Sequence, residues 1–149
     1  MNTPFKQVHH ICIVVRDIEK TVAYYESLGI GPWENMDLSG YTTVEWPHGK
    51  ERFFGLTYKR CDVGTLQIQL CQPGIEETRE KQFLDTKGEG VYHIGFVVSD
   101  IDIAEAQGVA LNLPILARAR RDDQSGYTYF DNAAQAGVVL ELRQSPSHS

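Results

Sequence analysis

The chain has 149 residues, of which 42% are hydrophobic, 10% aromatic and 23% charged, an ordinary globular composition with room for one domain or two very small ones. Its 14 Lys+Arg against 20 Asp+Glu give a formal net charge of −6, which argues against nucleic acid as a partner because that recognition uses a basic face. No apolar run approaches the roughly 20 residues of a membrane span, and Met1 to Gln7 lacks the apolar stretch of a secretory signal. Cys12, Cys61 and Cys71 fit neither a disulfide framework nor a zinc knuckle. These features lead to the expectation of a soluble, cytoplasmic single domain, and they say nothing of its function.

A repeat organises the chain. Val8–Ile18 reads VHHICIVVRDI and Val91–Ile101 reads VYHIGFVVSDI, identical at seven of eleven positions, with His10 matching His93 and Asp17 matching Asp100. A weaker echo pairs LQIQLCQ (Leu66–Gln72) with VVLELRQ (Val138–Gln144) and sets Gln69 opposite Glu141. In chain order, the β-branched run from Val8 predicts a strand. Asp17 then predicts an N-cap for a helix whose Ile18, Val22 and Tyr25 share one face, and Gly29 predicts its stop. Strands are expected at Trp33–Leu38, Arg52–Tyr58 and Thr65–Leu70. Pro73-Gly74 opens a polar linker with a helical patch, Glu76 to Thr86, and Gly88 and Gly90 return the chain to extended structure. The second copy repeats the order: a strand from Val91, a shorter helix from Asp100 to about Gly108, and strands at Ile115–Ala119, Tyr127–Asp131 and Val138–Arg143. The expected modules are residues 7–74 and 90–145 with a linker at 75–89, each strand-helix-strand-strand-strand.

Side chains alternate along a strand, so His10, Cys12 and Val14 share one face while His9 shares the other with Ile11 and Ile13. His93 has the phase of His10. Gln69 and Glu141 share a phase in the closing strands, and their aliphatic neighbours Ile68, Leu70, Leu140 and Leu142 face the opposite way. Each copy thus offers one imidazole and one oxygen donor, and a pseudo-twofold closure would bring together two nitrogens and two oxygens, a set that suits a divalent first-row metal. An anionic Glu141 on an apolar strand needs a partner or a cation. Gln67 shares the face of Gln69 without a ligand-type repeat partner and ranks second to it. His9 reads as structural, and Cys12 as a small buried residue that would otherwise line the pocket. His48 and His148 have no repeat partner. Tyr127 and Tyr129 share a strand face and are candidate substrate contacts. Arg118, Arg120 and Arg121 read as a solvated loop, with an anion clamp as the alternative.

HHICIVVRDIEKTVAYYESLGI, LQIQLCQP, KGEGVYHIGFVVSDI and GVVLELRQ together resemble the vicinal oxygen chelate superfamily, which includes glyoxalase I, bleomycin-resistance proteins and extradiol dioxygenases. They are most similar to its methylmalonyl-CoA epimerase-like branch. The resemblance spans about Val8 to Gln144. It implies an α+β fold of two βαβββ modules forming one curved, eight-stranded mixed sheet around a metal, and a homodimer. It also implies His10, Gln69, His93 and Glu141 as ligands to a divalent ion (Co, Ni, Mn, Zn or Fe), the same four residues that the repeat selects. Such a site binds two substrate oxygens and stabilises an enolate, and Glu141 is then the leading catalytic base, unless it serves only as a ligand. Some epimerases carry a second catalytic glutamate on a strand where this chain reads RFFGLTYKR. Glu45 and Glu51 flank that stretch, Glu34 lies one strand earlier, and all three remain unassigned. The expected function is a metal-dependent isomerase, epimerase or lyase acting on a small carbonyl or acyl-thioester. The alternatives are an Fe(II) extradiol-type dioxygenase using His10, His93 and Glu141, and a metal-free binding protein of the bleomycin-resistance kind.

Overall fold

The structure, a computed structural model, describes residues 2–147, so His148 lies outside the described residues. The chain runs β1 (Val8–Val14), α1 (Ile18–Ser27), β2 (Glu34–Asn35), β3 (Tyr41–Glu45), α2 (Lys50–Phe54), β4 (Thr57–Val63), β5 (Leu66–Gln72) and α3 (Arg79–Lys87). It continues with β6 (Gly90–Val97), α4 (Ile101–Ala110), β7 (Ile115–Arg121), β8 (Gly126–Phe130), α5 (Ala133–Ala136) and β9 (Val139–Gln144). All strands join one curved, open mixed sheet in the order β2-β4-β5-β1-β6-β9-β8-β7-β3. Leaving out β3, the order reads alike outward from the antiparallel β1/β6 pair: each copy's first strand lies parallel to its last, β1 with β5 and β6 with β9. Among the described residues no helix is long and apolar enough to cross a membrane.

Among the described residues the sheet has nine strands where eight are expected, and the differences in strands fall between β1 and β5. Only Glu34–Asn35 of the expected Trp33–Leu38 strand pairs, against β4. Pro32 offers no amide before it, and after it the Asp37 carboxylate accepts a hydrogen bond from the Ser39 amide at 2.9 Å and turns the chain. Lys50–Phe54 winds into a helical turn instead of opening a strand. The turn drives Phe53 into an aromatic cluster with its ring centroid 5.2 Å from that of Trp46 and 5.7 Å from that of Tyr127. The ninth strand, β3, crosses to the far edge of the sheet and pairs with β7, Val44 opposite Ala119.

The two equivalent helices are started by equivalent residues. Asp17 and Asp100 accept hydrogen bonds from the amides of Lys20 (3.2 Å) and Ile103 (3.1 Å). Gln72 and Gln144, which close the last strand of each copy, accept from the first helical amides, Ile18 and Ile101, at 2.9 Å each. Orphan amides of each first turn are thus satisfied from two sides. Helix α1 buries Ile18 and Val22 against Val15 and Leu70, and α4 buries Ile101 and Ala104 against Phe130 and Leu142. Helix α4 ends at Ala110, close to the expected stop near Gly108. Gly108 has a packing role of its own. It lies inside the helix, where an added Cβ would overlap the Phe130 ring. The other sheet face carries Cys12, Val14, Tyr58, Tyr127 and Tyr129 in one cluster with Phe53 of α2 and Leu84 of α3. Cys12 is a fully buried core residue, and all three cysteines are free.

Candidate metal centre

Four adjacent central strands, β5, β1, β6 and β9, each bring a candidate ligand to the same sheet face. These are Gln69, His10, His93 and Glu141, all buried. The Nε2 atoms of His10 and His93 are 2.9 Å apart. The Glu141 carboxylate spans them, Oε1 at 3.3 Å from His10 Nε2 and Oε2 at 3.3 Å from His93 Nε2. Atoms bound to one ion at about 2.1 Å stand about 3.0–3.4 Å from each other in octahedral or tetrahedral sets, so these separations fit a shared divalent ion. Gln69 lines the same cavity as His10 and Glu141. Its Nε2 donates to Gln67 Oε1 at 2.8 Å, and Gln67 Nε2 in turn donates to Asp62 Oδ1 at 3.1 Å. That relay engages Gln67 away from the centre and leaves the Gln69 carbonyl end as the one to face a cation.

Burial pushes the Glu141 carboxyl up, but the imidazoles of His10 and His93 together with Arg143 more than reverse this and hold it at about 2. Burial pushes His93 down to about 3, against the pull of Glu141. An ionised carboxylate facing a neutral imidazole is the state in which both can be ligands. His93 Nδ1 is buried without a hydrogen-bond partner among the described residues. The His10 ring lies flat over Gly95 of β6, where any Cβ would overlap ring atoms. Gly95 holds the repeat position of Cys12, so one copy gives up a side chain to seat the other copy's histidine.

His9 departs from its expected place. Its Nδ1 lies 2.8 Å from His10 Nδ1, because the β1/β6 register shifts between Val8 and His10 and strict alternation fails there. A proton on His10 Nδ1, donated to His9, leaves the His10 Nε2 lone pair facing Glu141 and His93. Burial first, then Arg143 and His10, lower the His9 pKa to about 4, so it is available as a neutral acceptor.

Above the centre is a cavity of about 520 Å³, also lined by Tyr58, Tyr127, Tyr129, Arg60, Arg121 and Arg143. The Tyr129 ring centroid is 5.0 Å from that of His93, and Tyr127 accepts a hydrogen bond from Trp46 Nε1 at 2.8 Å. None of Glu34, Glu45 and Glu51 lines it. Glu34 pairs with Arg60 at 3.4 Å, Glu45 with Arg118 at 2.7 Å, and Glu51 belongs to the first turn of α2. Arg118, Arg120 and Arg121 are strand residues of β7 rather than a loop. His48 lines a separate small cavity beside Glu80 and Tyr92.

Glu80 is a second buried carboxyl that sequence reasoning passes over. It lies in the first turn of α3, a position where an acidic residue ordinarily faces solvent and complements the helix dipole. Here it is buried, with Oε1 lacking a partner, and burial pushes its carboxyl up to about 7. The folded protein therefore keeps a proton between about pH 4.5 and 7 that the unfolded chain has released, and stability falls as pH rises through that window. Glu80→Gln removes this penalty, so its stability relative to wild type should rise by roughly 3 kcal/mol between pH 4 and pH 8. Denaturant unfolding at the two pH values measures it, and a pH-independent difference would count against the buried carboxyl.

The profile of the Glyoxalase/Bleomycin resistance protein/Dioxygenase superfamily matches residues 9–130. No curated protein matches the chain. Among solved structures, the chain is similar to methylmalonyl-CoA epimerase from Mycobacterium tuberculosis, with a TM-score of 0.75, 20% identity, and 98% of this chain and 93% of that one covered. A methylmalonyl-CoA epimerase variant from Streptomyces coelicolor, in complex with 2-nitronate-propionyl-CoA, aligns with a TM-score of 0.73 at 24% identity over 96% of this chain and 99% of that one. The hypothetical protein BH1468 from Bacillus halodurans aligns with a TM-score of 0.70 at 18% identity over 96% of each chain. Repeat, sheet order and profile agree: the chain belongs to the glyoxalase/bleomycin resistance protein/dioxygenase superfamily.

Proposed function

We propose that the protein is a divalent-metal-dependent isomerase, epimerase or lyase that transfers a proton at the carbon beside a carbonyl or thioester of a small substrate. The observation that carries this reading is the convergence of His10 Nε2, His93 Nε2 and the Glu141 carboxylate beside a cavity large enough for such a substrate. The methylmalonyl-CoA epimerases among the structural neighbours lend it support. His10, Gln69, His93 and Glu141 are the ligands in this proposal. The metal, when bound, acts as a Lewis acid that makes the adjacent C–H more acidic. Glu141, ionised at neutral pH, is the group to take the proton on a carboxylate oxygen and return it. Tyr127 and Tyr129 wall the cavity and orient the substrate while excluding water. The ligands come from both copies, so residues 7–74 and 90–145, joined by 75–89, act as one domain and neither half works alone.

The test begins with metal analysis of purified protein supplied in turn with Co, Ni, Mn, Zn and Fe(II). One divalent ion per chain is expected, and a protein that takes up none sinks the proposal. Loaded protein in D₂O should then exchange the proton beside the carbonyl of an acyl-thioester or a hemithioacetal. His10, His93 and Glu141 alone also form a two-histidine, one-carboxylate set of the kind that non-haem Fe(II) dioxygenases use. Oxygen uptake with a catechol, in place of deuterium exchange, would move the assignment to that class.

A further inference from the structure

The arginines of β7 divide into two kinds. Arg118 and Arg120 share one face and are neutralised. Arg118 lies 2.7 Å from Glu45 and 2.8 Å from Glu105, and Arg120 lies 3.0 Å from Asp102 and 3.1 Å from Glu105. Arg121 takes the opposite face and lines the 520 Å³ cavity. Its guanidinium donates to Tyr41 Oη at 2.8 Å and Ser125 Oγ at 3.2 Å, and it meets no carboxylate within 4.0 Å among the described residues. Arg143 is alike. It lies two residues beyond Glu141 on the same face of β9, with Nη2 donating to Ser145 Oγ at 3.3 Å. Its Nη1 is 3.4 and 3.3 Å from the two ring nitrogens of His9, a partner that brings no negative charge. It too has no carboxylate within 4.0 Å among the described residues. In a chain with 20 acidic residues, two half-buried guanidiniums on one cavity without a counter-ion stand out against their paired neighbours.

Glu141 does not account for them. It supplies one negative charge, already shared with two imidazoles, and a bound divalent ion would over-neutralise it. On the proposed reading, the loaded cavity carries a surplus of positive charge that only the substrate can balance. Cα positions two apart on a strand are about 7 Å from each other, so the arginine Arg143 is placed some distance along the cavity from the metal ligands.

We infer that Arg121 and Arg143 bind a second oxyanion of the substrate, a carboxylate or a phosphate-type group, beyond the end that faces the metal. The substrate class is therefore a carbonyl compound with at least one anionic group besides its chelating oxygens. Planar forks on β7 and β9, two strands apart across Tyr127, suit bidentate or bridging contact with such a group. The inference rests on the metal reading only for where the substrate's other end lies.

Calorimetric titration tests it with three probes that share a chelating 2-oxo acid end: pyruvate, with no further charge, α-ketoglutarate, with a second carboxylate, and phosphonopyruvate, with a phosphonate. Metal-loaded wild type should bind one of the latter two at least about tenfold more tightly than pyruvate, the better one identifying the anion. An Arg121→Gln/Arg143→Gln double variant should lose that preference while metal stoichiometry and unfolding temperature stay unchanged. No preference in wild type, or an undiminished one in the variant, overturns the assignment. Should the double variant fail to fold, the single Arg121→Lys and Arg143→Lys proteins keep the charge but lose the fork. A weakened preference in them supports the clamp and an unchanged one overturns it. Titrating chelator-stripped wild type and variant with succinate against butyrate separates the two readings. An arginine-dependent preference for succinate upholds the clamp even if the protein takes up no metal, and its absence there overturns the clamp whatever the metal result.

Discussion

Glu141→Gln protein should fold and lose proton exchange by about 10²–10⁴-fold, the usual contribution of a positioned general base. The substitution keeps an oxygen donor between His10 and His93 but removes the charge that they and Arg143 hold ionised down to about pH 2. Metal occupancy must be measured alongside activity, because the carboxylate is both ligand and base in the proposal. With base chemistry at Glu141, exchange stays low when excess metal restores full occupancy. If Glu141 is a ligand alone, exchange recovers in proportion to occupancy, and the base lies elsewhere. Asp37 is the only other carboxylate lining the cavity among the described residues, and it is exposed and bonded to Ser39, a poor position for a second base.

Gly95→Ala should cost about 1–3 kcal/mol in stability and weaken metal binding by at least about 10–100-fold, although a methyl group is all that it adds. The new Cβ would occupy the space of the His10 ring, which has no slack, since His9, His93 and Glu141 contact its nitrogens. The ring has to leave its place between the neighbouring strands, and its Nε2 leaves the centre with it. A double-mutant cycle isolates this cause. His10→Ala removes the obstructing ring, so adding Gly95→Ala to it should cost almost nothing further in stability. Denaturant unfolding and metal titration of the four proteins give the answer. Equal costs of Gly95→Ala with and without His10 would show that the glycine does not serve the histidine.

The repeat is what made the fold legible. VHHICIVVRDI and VYHIGFVVSDI report the same local physics twice: a β-branched strand, an aspartate cap and an amphipathic helix, which the structure realises as β1-α1 and β6-α4. The echo between Gln72 and Gln144 is visible as identity alone, and only the structure gives its cause, a side-chain cap on each helix. Where the repeat fails, local reading fails with it. Tyr41–Glu45 earns its place through pairing with β7, some 75 residues downstream, and no window around Tyr41 contains that partner. Arg52–Phe54 reads as the opening of a strand to Tyr58 because Phe53 and Phe54 are strong strand formers, but docking of Phe53 among Trp46, Tyr41 and Tyr127 overrides that preference.

For the candidate site, alternation and repeat equivalence suffice to select His10, Gln69, His93 and Glu141 as same-face residues of four strands. They do not place His9, whose role depends on a register shift that sequence period cannot encode. Nor do they separate Arg121 from Arg118 and Arg120 by charge environment, which depends on Glu45 and on Asp102 and Glu105 of α4. Glu80 lay equally out of reach, since burial of a first-turn residue is decided by what packs over the helix.

By itself, the sequence determined two strand-helix units, the shared phase of His10, Gln69, His93 and Glu141 in the four repeat-related strands, and the residue types offered on that face, because these follow from local periodicity and steric preference. Only the tertiary structure decided which strands become neighbours, that Gly95 must yield space to His10, and which charges remain unpaired on the cavity wall. Those depend on contacts between segments far apart in the chain, where distance and burial, rather than residue identity, set the energy.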